Sequence, residues 1–587
     1  DLVPAGKELL VMDALKMQHA IEAPESGKIA RIDVKVGETI TEGKVMFYLE
    51  PMEVAAEAGG AGGEIDLDAL RPDLAEVVRR KSFALDSERQ PWVEKRHGQG
   101  GRTVQENLDD LLDPGTFIEY GGLTIAAQGD KFTEEVLMRK SPADGMPMGI
   151  GTVNRDIFGE EGGRVAVLSY DYGVMAGTQG HRAHVKMARM FEVIDKLQIP
   201  TIFFTEGGGG RSNDTQGFAV TGLDNRVFSS FARLSGLVPL VGVNHGRCFA
   251  GNTLLLAVCD VIIATKKSSI GIGGPAMIEG GGLGVYTPEE VGPVEIQYPN
   301  GVIDILVEDE AEAVQVAKKY ISYFQGPLEE WVEPDQRLMR NVVPENRHRT
   351  YDVRKAIDIL ADEGSVLEIR DGWAPGIITS FVRIEGRTVG VIANNVKHLS
   401  GALDSPGSDK MSRFMQLCDA FDIPVVFLMD TPGIMVGPEI EKTALVRHAG
   451  RTLVTAGSMT VPMMAVILRK GYGLGAQAMS AGGFKDTIFT VSWPTGEFGE
   501  AGVEGDVRLG FRAELAAIED PAERQAFFQR EVDKRYAHGR ALHMAQVYEL
   551  DDVIDPAETR RWILRILKSA PPALPRRGKK RPFIDTW

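Results

Sequence analysis

Apolar and polar positions alternate along residues 1–51 and then change rhythm. Ile29, Ile32, Val34 and Val36 precede a Gly37-Glu38 turn, and Val45, Phe47 and Leu49 follow it, the pattern of short strands joined by a turn. Residues 52–64 (MEVAAEAGGAGGE) have no period and read as a linker. A coil of that length spans ~20 Å root-mean-square. Further on, two segments carry helical apolar spacing, Lys186 to Pro200 (KMARMFEVIDKLQIP) and Lys410 to Pro424 (KMSRFMQLCDAFDIP). Each leads into a buried strand, 201–205 or 425–429, and each strand runs into an acidic residue and a glycine turn. These are Glu206 before Gly207 to Gly210, and Asp430 before Thr431-Pro-Gly433. A second Val-Pro strand start follows at Pro239 and at Pro462. The offset is 224 from Pro200 to Pro424 and 223 from Pro239 to Pro462. Agreement of two offsets over that distance indicates an internal duplication, and helices alternating with short apolar strands indicate an α/β class.

A chain of 587 residues exceeds one hydrophobic core and implies about three or four domains. Its formal net charge of −18 argues against a nucleic-acid partner. The basic run Arg576-Arg-Gly-Lys-Lys-Arg581 is local and is expected to be a solvated terminus or a subunit contact. Cys248, Cys259 and Cys418 lie in apolar or Gly-rich settings, which fits a reducing cytoplasm better than a disulfide scaffold. No uncharged apolar run is long enough to predict a membrane span.

Glycine turns after buried strands expose backbone N–H groups that stabilise negative charge developing on an oxygen. Four such turns stand out: Gly207 to Gly210, Gly246 to Gly251, Gly273-Gly-Pro275 and Gly471 to Gly475. The last matches a dinucleotide-binding pattern, but Arg469-Lys470 intervene after the strand and no acidic residue follows at the distance a ribose contact needs. No Walker A sequence, zinc-type Cys/His cluster or nucleophile elbow is present, so no metal site is expected and covalent-nucleophile chemistry has little support.

Near the start, Lys16 sits between Leu15 and Met17 in LVMDALKMQHAIEAP. This segment resembles the biotinyl-lysine hairpin of carrier domains, which usually read Ala-Met-Lys-Met; Leu15 replaces the first Met. The simpler reading is an ordinary turn lysine. The resemblance implies biotin bound covalently to Lys16, attached by a biotin protein ligase. Only the half of a flattened-barrel biotinyl domain from the lysine onward is complete, with Asp1 to Leu9 as the tail of the other half. A polypeptide that extends upstream, into a biotin carboxylase module using ATP, Mg and bicarbonate, is therefore expected. The linker would let the carrier move while tethered near an active site.

The two halves resemble the lobes of the acyl-CoA carboxyltransferase family, each a crotonase-type fold. The likeness rests on Leu403-Asp404, Ser408-Asp-Lys410, CDAFDIP at 418–424, Asp430-Thr-Pro-Gly433, Val466-Ile-Leu-Arg-Lys470 and Trp493-Pro-Thr495. Departures lie mostly in the first half: Gly207-Gly-Gly-Gly-Arg211 for Ser-Gly-Gly-Ala-Arg, Gly246-Arg-Cys-Phe-Ala-Gly251 for Gly-Pro-Cys-Ala-Gly-Gly, and Glu289-Glu-Val-Gly-Pro293 for Glu-Glu-Leu-Gly-Gly. In the second half, Gly473-Leu-Gly-Ala476 stands for Gly-Gly-Ala-Tyr. The expected organisation is α/β: the C-terminal portion of an all-β carrier domain over 1–51, a linker over 52–64, a first crotonase-like lobe over 65–340 and a second over 341–587.

The resemblance implies carboxyl transfer from carboxybiotin to the α-carbon of an acyl-CoA, with no protein general base. Donors Gly208, Gly209, Gly210 and Gly251 would face the thioester oxygen. Leu474 and Gly475, with Gly473, would face biotin. Lys186 and Arg211 are candidates for the CoA phosphates or adenine end, or else surface charges. A homohexamer with each site between lobes of different subunits is also implied. The carrier–transferase fusion looks like the single-chain long-chain acyl-CoA carboxylases of bacteria. A biotin-dependent decarboxylase working with a membrane partner and an inactive assembly scaffold are the alternatives.

Overall fold

The computed structural model describes residues 1–54, 66–216, 222–573 and 576–587. Residues 1–76 and 77–587 form two compact units. Most of the aperiodic segment 52–64 lies outside the described residues.

In the first unit, Leu2–Val3, Gly27–Ile32 and Phe47–Pro51 pair as an antiparallel sheet. A separate hairpin joins Glu8–Ala14 to Met17–Glu22. Val34, Val36 and Val45, expected in strands, lie between them instead. Residues 33–46 turn at Gly37 and Gly43, both at positive φ, and are closed by local bonds such as Lys35 N to the Glu38 carboxylate. Val36 is left fully exposed.

The second unit contains two large sheets of matching topology. In the first, Met148–Thr152 and Arg164–Ser169 are antiparallel, and Thr201–Phe204, Leu240–Asn244, Val261–Thr265 and Ile305–Val307 follow in parallel. In the second, Ile377–Ile384 and Arg387–Asn394 are antiparallel, followed in parallel by Val425–Thr431, Met463–Tyr472, Phe489–Ser492 and Asp552–Val553. The central strands are buried along their whole length because helices cover them, which is why they read as continuous apolar runs. The predicted repeat helices are His181–Leu197 and Ser405–Ala420, and each precedes its strand. One core cluster includes Ile202 and Val241 of the first sheet together with Ile377, Phe381 and Phe427 of the second. The helix Glu310–Gln325 carries Tyr320, Tyr323 and Phe324 onto Phe381, with ring centroids 5.5–5.9 Å away. Met339 packs with the second sheet. All three cysteines are buried thiols. Among the described residues no helix is long and apolar enough to cross a membrane.

The basic run near residue 580 is not a solvated tail. Lys580 and Arg581 reach Asp422 and Asp419 at 2.8 and 2.9 Å, and Arg576 also pairs with Asp422. Burial alone would raise Asp419, but Thr460 N–H, Arg581 and Lys580 hold it below the usual carboxylate range. Beyond this run Ile584 is buried, and its N–H donates to Ser235 Oγ of the first lobe at 3.1 Å. Asp585 pairs with Arg451 of the second lobe at 2.6 Å. The segment therefore ties both lobes together. Ile584→Ala is expected to lower unfolding free energy by about 2 kcal/mol or more, the usual cost of emptying a buried isoleucine site. Urea denaturation reads this directly, and an unchanged midpoint would show that the segment is not docked.

Candidate active site

In each lobe a buried strand delivers a clamped carboxylate to the start of a tight turn. Glu206 bonds Arg96 through both oxygens, at 2.7 and 3.1 Å, and lies 3.0 Å from His245. Burial would raise its pKa, but His245 and Arg96 hold it down at about 2. Asp430, 224 residues on, accepts from Tyr351 Oη at 2.8 Å, Arg469 Nε at 3.1 Å and Lys470 N at 3.2 Å. Truncating one partner of such a buried pair strands the other, so these clamps fix where each turn begins.

The turns leave a matched pair of donors in each lobe. Gln179 N donates to Gly209 O and Arg211 N donates to Gln179 O, both at 2.8 Å, which leaves the N–H of Gly210 between them without a partner in this ladder. Leu403 brackets Ile434 in the same way, donating to Gly433 O at 3.0 Å and accepting from Met435 N at 2.9 Å. The second donor comes from a helix start. Gly251 opens the helix Gly251–Val258, and Gly473 and Leu474 open Gly473–Ala478; first-turn N–H groups have no intrahelical acceptor. Ala250 at φ +52° and Gly473 at φ +53° make equivalent left-handed kinks before these donors. A non-glycine there carries strain of about 1–3 kcal/mol. The strand and helix turns press together: a Cβ on Gly209 would come within 2.8 Å of Ala250 Cβ, and one on Gly475 within 2.6 Å of Gly433 Cα.

The candidate donors are thus Gly210 and Gly251 in the first lobe, and Ile434 and Leu474 in the second. Ile434 was not among the sequence candidates, although the 224-residue offset from Gly210 leads to it. Two candidates are corrected. Gly208 N donates to Ala176 O at 3.0 Å and Gly209 N to Asn252 Oδ1 at 3.2 Å, so both donors are engaged internally. Gly475 lets the second-lobe turns meet, since a Cβ there would strike Gly433. Beside Leu474 opens a cavity of about 950 Å³ lined by Gly473, Gln477, Lys485, Arg535 and His538.

Lys186 and Arg211 are also corrected as phosphate ligands. Arg211 is buried, with Nη1 2.5 Å from Asp144 and Nη2 bonded to Thr178 O. Lys186 is buried and donates to Ala143 O at 2.7 Å and Met146 O at 2.8 Å. Its counterpart Lys410 donates to Arg370 O at 2.8 Å and Trp373 O at 2.9 Å. Each lysine clips a turn containing left-handed residues, Ala143 and Asp144 in one lobe, Arg370 and Ala374 in the other. Burial pushes Lys186 down to about 8 and Lys410 down to about 7. Unfolded lysines titrate near 10.4, so between those limits the unfolded chain binds more protons. The stability contribution of these lysines therefore rises with pH from 7 to 10. The gain in unfolding free energy from pH 7 to 9.5 is expected to be smaller in Lys410→Met by roughly 2 kcal/mol. Parallel urea titrations at the two pH values check this, and equal slopes would contradict it.

In the carrier unit, Ala14 pairs with Met17, so Leu15 and Lys16 form a two-residue turn. Both have positive φ, 52° and 65°, as a type I′ turn requires. Leu15 is 98% exposed, and Lys16 is held out at the tip beside it. Among the described residues no group of His, Cys, Asp and Glu is placed to hold a metal ion.

Comparison with known proteins bears on these features. Residues 95–573 match the carboxyl transferase domain, and residues 1–49 match the biotin-requiring enzyme family. The chain belongs to the carboxyl transferase family. It is 34% identical to the methylmalonyl-CoA carboxyltransferase 12S subunit of Propionibacterium freudenreichii subsp. shermanii, over 81% of this chain and 90% of that protein. A solved transcarboxylase 12S structure, described as a hexamer assembly, has a TM-score of 0.74 at 31% identity, covering 87% of this chain and 98% of that one. A single-chain, multi-domain long-chain acyl-CoA carboxylase has a TM-score of 0.81 at 49% identity; it covers 96% of this chain, which spans only 54% of that protein. The two lobes are accordingly crotonase-like, and the chain is an enzyme of the biotin-dependent carboxyltransferase type.

Proposed function

We propose that this chain moves a carboxyl group between biotin on Lys16 and the α-carbon of an acyl-CoA. The observation that carries the reading is the paired N–H donors, one pair per lobe, in a chain that also presents an exposed lysine on a type I′ hairpin. Two oxyanions need holding in such a transfer, and the lobes offer one donor pair for each. Gly210 and Gly251 serve the thioester oxygen, so that negative charge gathers there as the α-proton leaves. Ile434 and Leu474 serve the ureido oxygen, with the cavity beside Leu474 to receive the ring. Removing one such donor elsewhere costs about 2.7–4 kcal/mol in the transition state. Biotin, when bound, supplies the labile carboxyl group and the base for the α-proton. The chain's own role is to hold charge at two oxygens and keep the donors fixed.

Acyl chains of long type are the substrates we favour, on the similarity to the long-chain enzyme. A hexamer, with sites shared between subunits, fits the resemblance to the 12S assembly. A biotin carboxylase, as a domain or subunit using ATP, Mg and bicarbonate, and a biotin protein ligase complete the cycle. Incubation with a series of 2-carboxyacyl-CoA thioesters and biocytin tests the reading: decarboxylated acyl-CoA and carboxylated biocytin are expected, fastest for long chains. No transfer at any chain length would sink it.

A further inference from the structure

One residue in the first lobe meets both donors, one through its backbone and the other through its side chain. The Gln179 backbone brackets Gly210, and its carboxamide lies against Gly251, where a Cβ would come within 3.0 Å of Gln179 Cδ. That carboxamide is itself held at both ends. Nε2 donates to Tyr170 Oη at 2.6 Å, and Tyr170 Oη donates to Met187 Sδ at 3.3 Å. Oε1 accepts from His184 Nε2 at 3.2 Å, and His184 Nδ1 accepts from Asn225 Nδ2 at 3.1 Å. The run has one direction, since an amide oxygen facing His184 requires the proton on Nε2 and leaves Nδ1 to accept. Burial, together with His181 and Arg211, pushes His184 down to about 4, so the ring is neutral near pH 7.

Among the described residues the second lobe has no such run. Leu403 makes the same two backbone bonds as Gln179 but ends in a buried apolar side chain. Ser408, at the place of His184, only bonds back to Asp404 O within its own helix at 2.8 Å. The two backbone bonds at the turn therefore form without the polar run, and what the carboxamide adds in the first lobe is its packing against Gly251.

We propose that His184, fixed as the Nε2–H tautomer by Asn225, is a positioning residue: by orienting the Gln179 carboxamide it sets the spacing of the Gly210 and Gly251 donors. This rests on the reading that those donors hold the thioester oxygen. Oxyanion donors act only when close to their final position, so loosening the Gln179 carboxamide lowers turnover more than binding.

Carboxyl transfer from a 2-carboxyacyl-CoA to biocytin, run on the full chain, tests it. His184→Phe keeps the ring volume without the bonds and is expected to lower kcat about 10- to 100-fold, with KM for the thioester within about 3-fold. His184→Gln, which can donate to Gln179 and accept from Asn225, is expected to recover to within about 5-fold of wild type. Gln179→Leu copies the second lobe, so folding should tolerate it, and its loss should match that of His184→Phe. The double variant should fall no further than either alone, because both break one run. Transfer by wild type that His184→Phe and Gln179→Leu both leave intact overturns the positioning role alone. Additive losses, or His184→Gln as poor as His184→Phe, overturn it too. Wild type that transfers nothing overturns this role together with the functional reading.

Discussion

Lys16→Arg is expected to abolish biotinylation of the chain while leaving its transferase lobes active. The guanidinium of arginine is not acylated as an amine is, so a streptavidin blot should lose all signal. Carboxyl transfer from a 2-carboxyacyl-CoA to the chain itself should vanish with it. Transfer to free biocytin, which needs only the lobes, should stay within about 2-fold at saturating biocytin, because tethering changes effective concentration rather than the chemistry. The hairpin should survive, since the change keeps a long cationic side chain at an exposed turn position of unchanged backbone demand. Streptavidin binding retained in Lys16→Arg would remove the carrier assignment altogether. Loss of the biocytin reaction as well would mean that the substitution damages more than the attachment point.

Gly475→Ala is expected to cut turnover sharply by forcing the second-lobe donor turns apart. Its Cβ would stand 2.6 Å from Gly433 Cα and 2.7 Å from Gly433 O, and backbone on that side cannot swing away as a side chain can. The helix start must move off the strand turn, which separates the N–H of Leu474 from that of Ile434. A loss of about 10²–10³ in kcat follows, the usual consequence of removing one oxyanion donor. Stability should fall by about 1–3 kcal/mol from overpacking. Gly450→Ala is the control: it lies inside the helix Leu445–Gly457 with nothing near its Cβ position, so activity should be unchanged and stability slightly higher. Saturating-rate measurements with urea denaturation on both variants separate the effects. A kcat for Gly475→Ala within about 3-fold of wild type would exclude the donor pair as drawn.

Elements that leave a period in the sequence could be read from the chain, and the direction in which a single N–H or charged group faces could not. The duplication offset placed both repeat helices, both strands and both acidic residues, because buried parallel strands and amphipathic helices leave periods in the sequence. The lysine turn was legible by its resemblance to the biotinyl-lysine hairpin, carried by Leu15, Lys16 and Met17. Ile434 escaped notice because its chemistry is a peptide N–H and its side chain says nothing about it. Gly208 and Gly209 were over-read: a glycine run shows that the chain bends, not which N–H groups end up facing outward. Lys186 and Arg211 were misread since charge in a sequence suggests a surface, whereas here each is neutralised or hydrogen-bonded inside the fold. The polar run through Gln179 and His184 joins residues from the strand end, the helix and Asn225, and no local pattern announces it.

The aromatic packing of Tyr320, Tyr323 and Phe324 on Phe381 has a consequence for how this enzyme can have diversified. With one core running from sheet to sheet, neither lobe is a module that recombination could exchange alone, since a foreign partner would have to match those rings. Variation is confined instead to positions that keep the backbone, such as Gln179 against Leu403, where two halves of one ancestry carry different side chains on the same hydrogen bonds. Specificity in such a duplicated enzyme evolves by asymmetric substitution within a shared frame, not by domain shuffling.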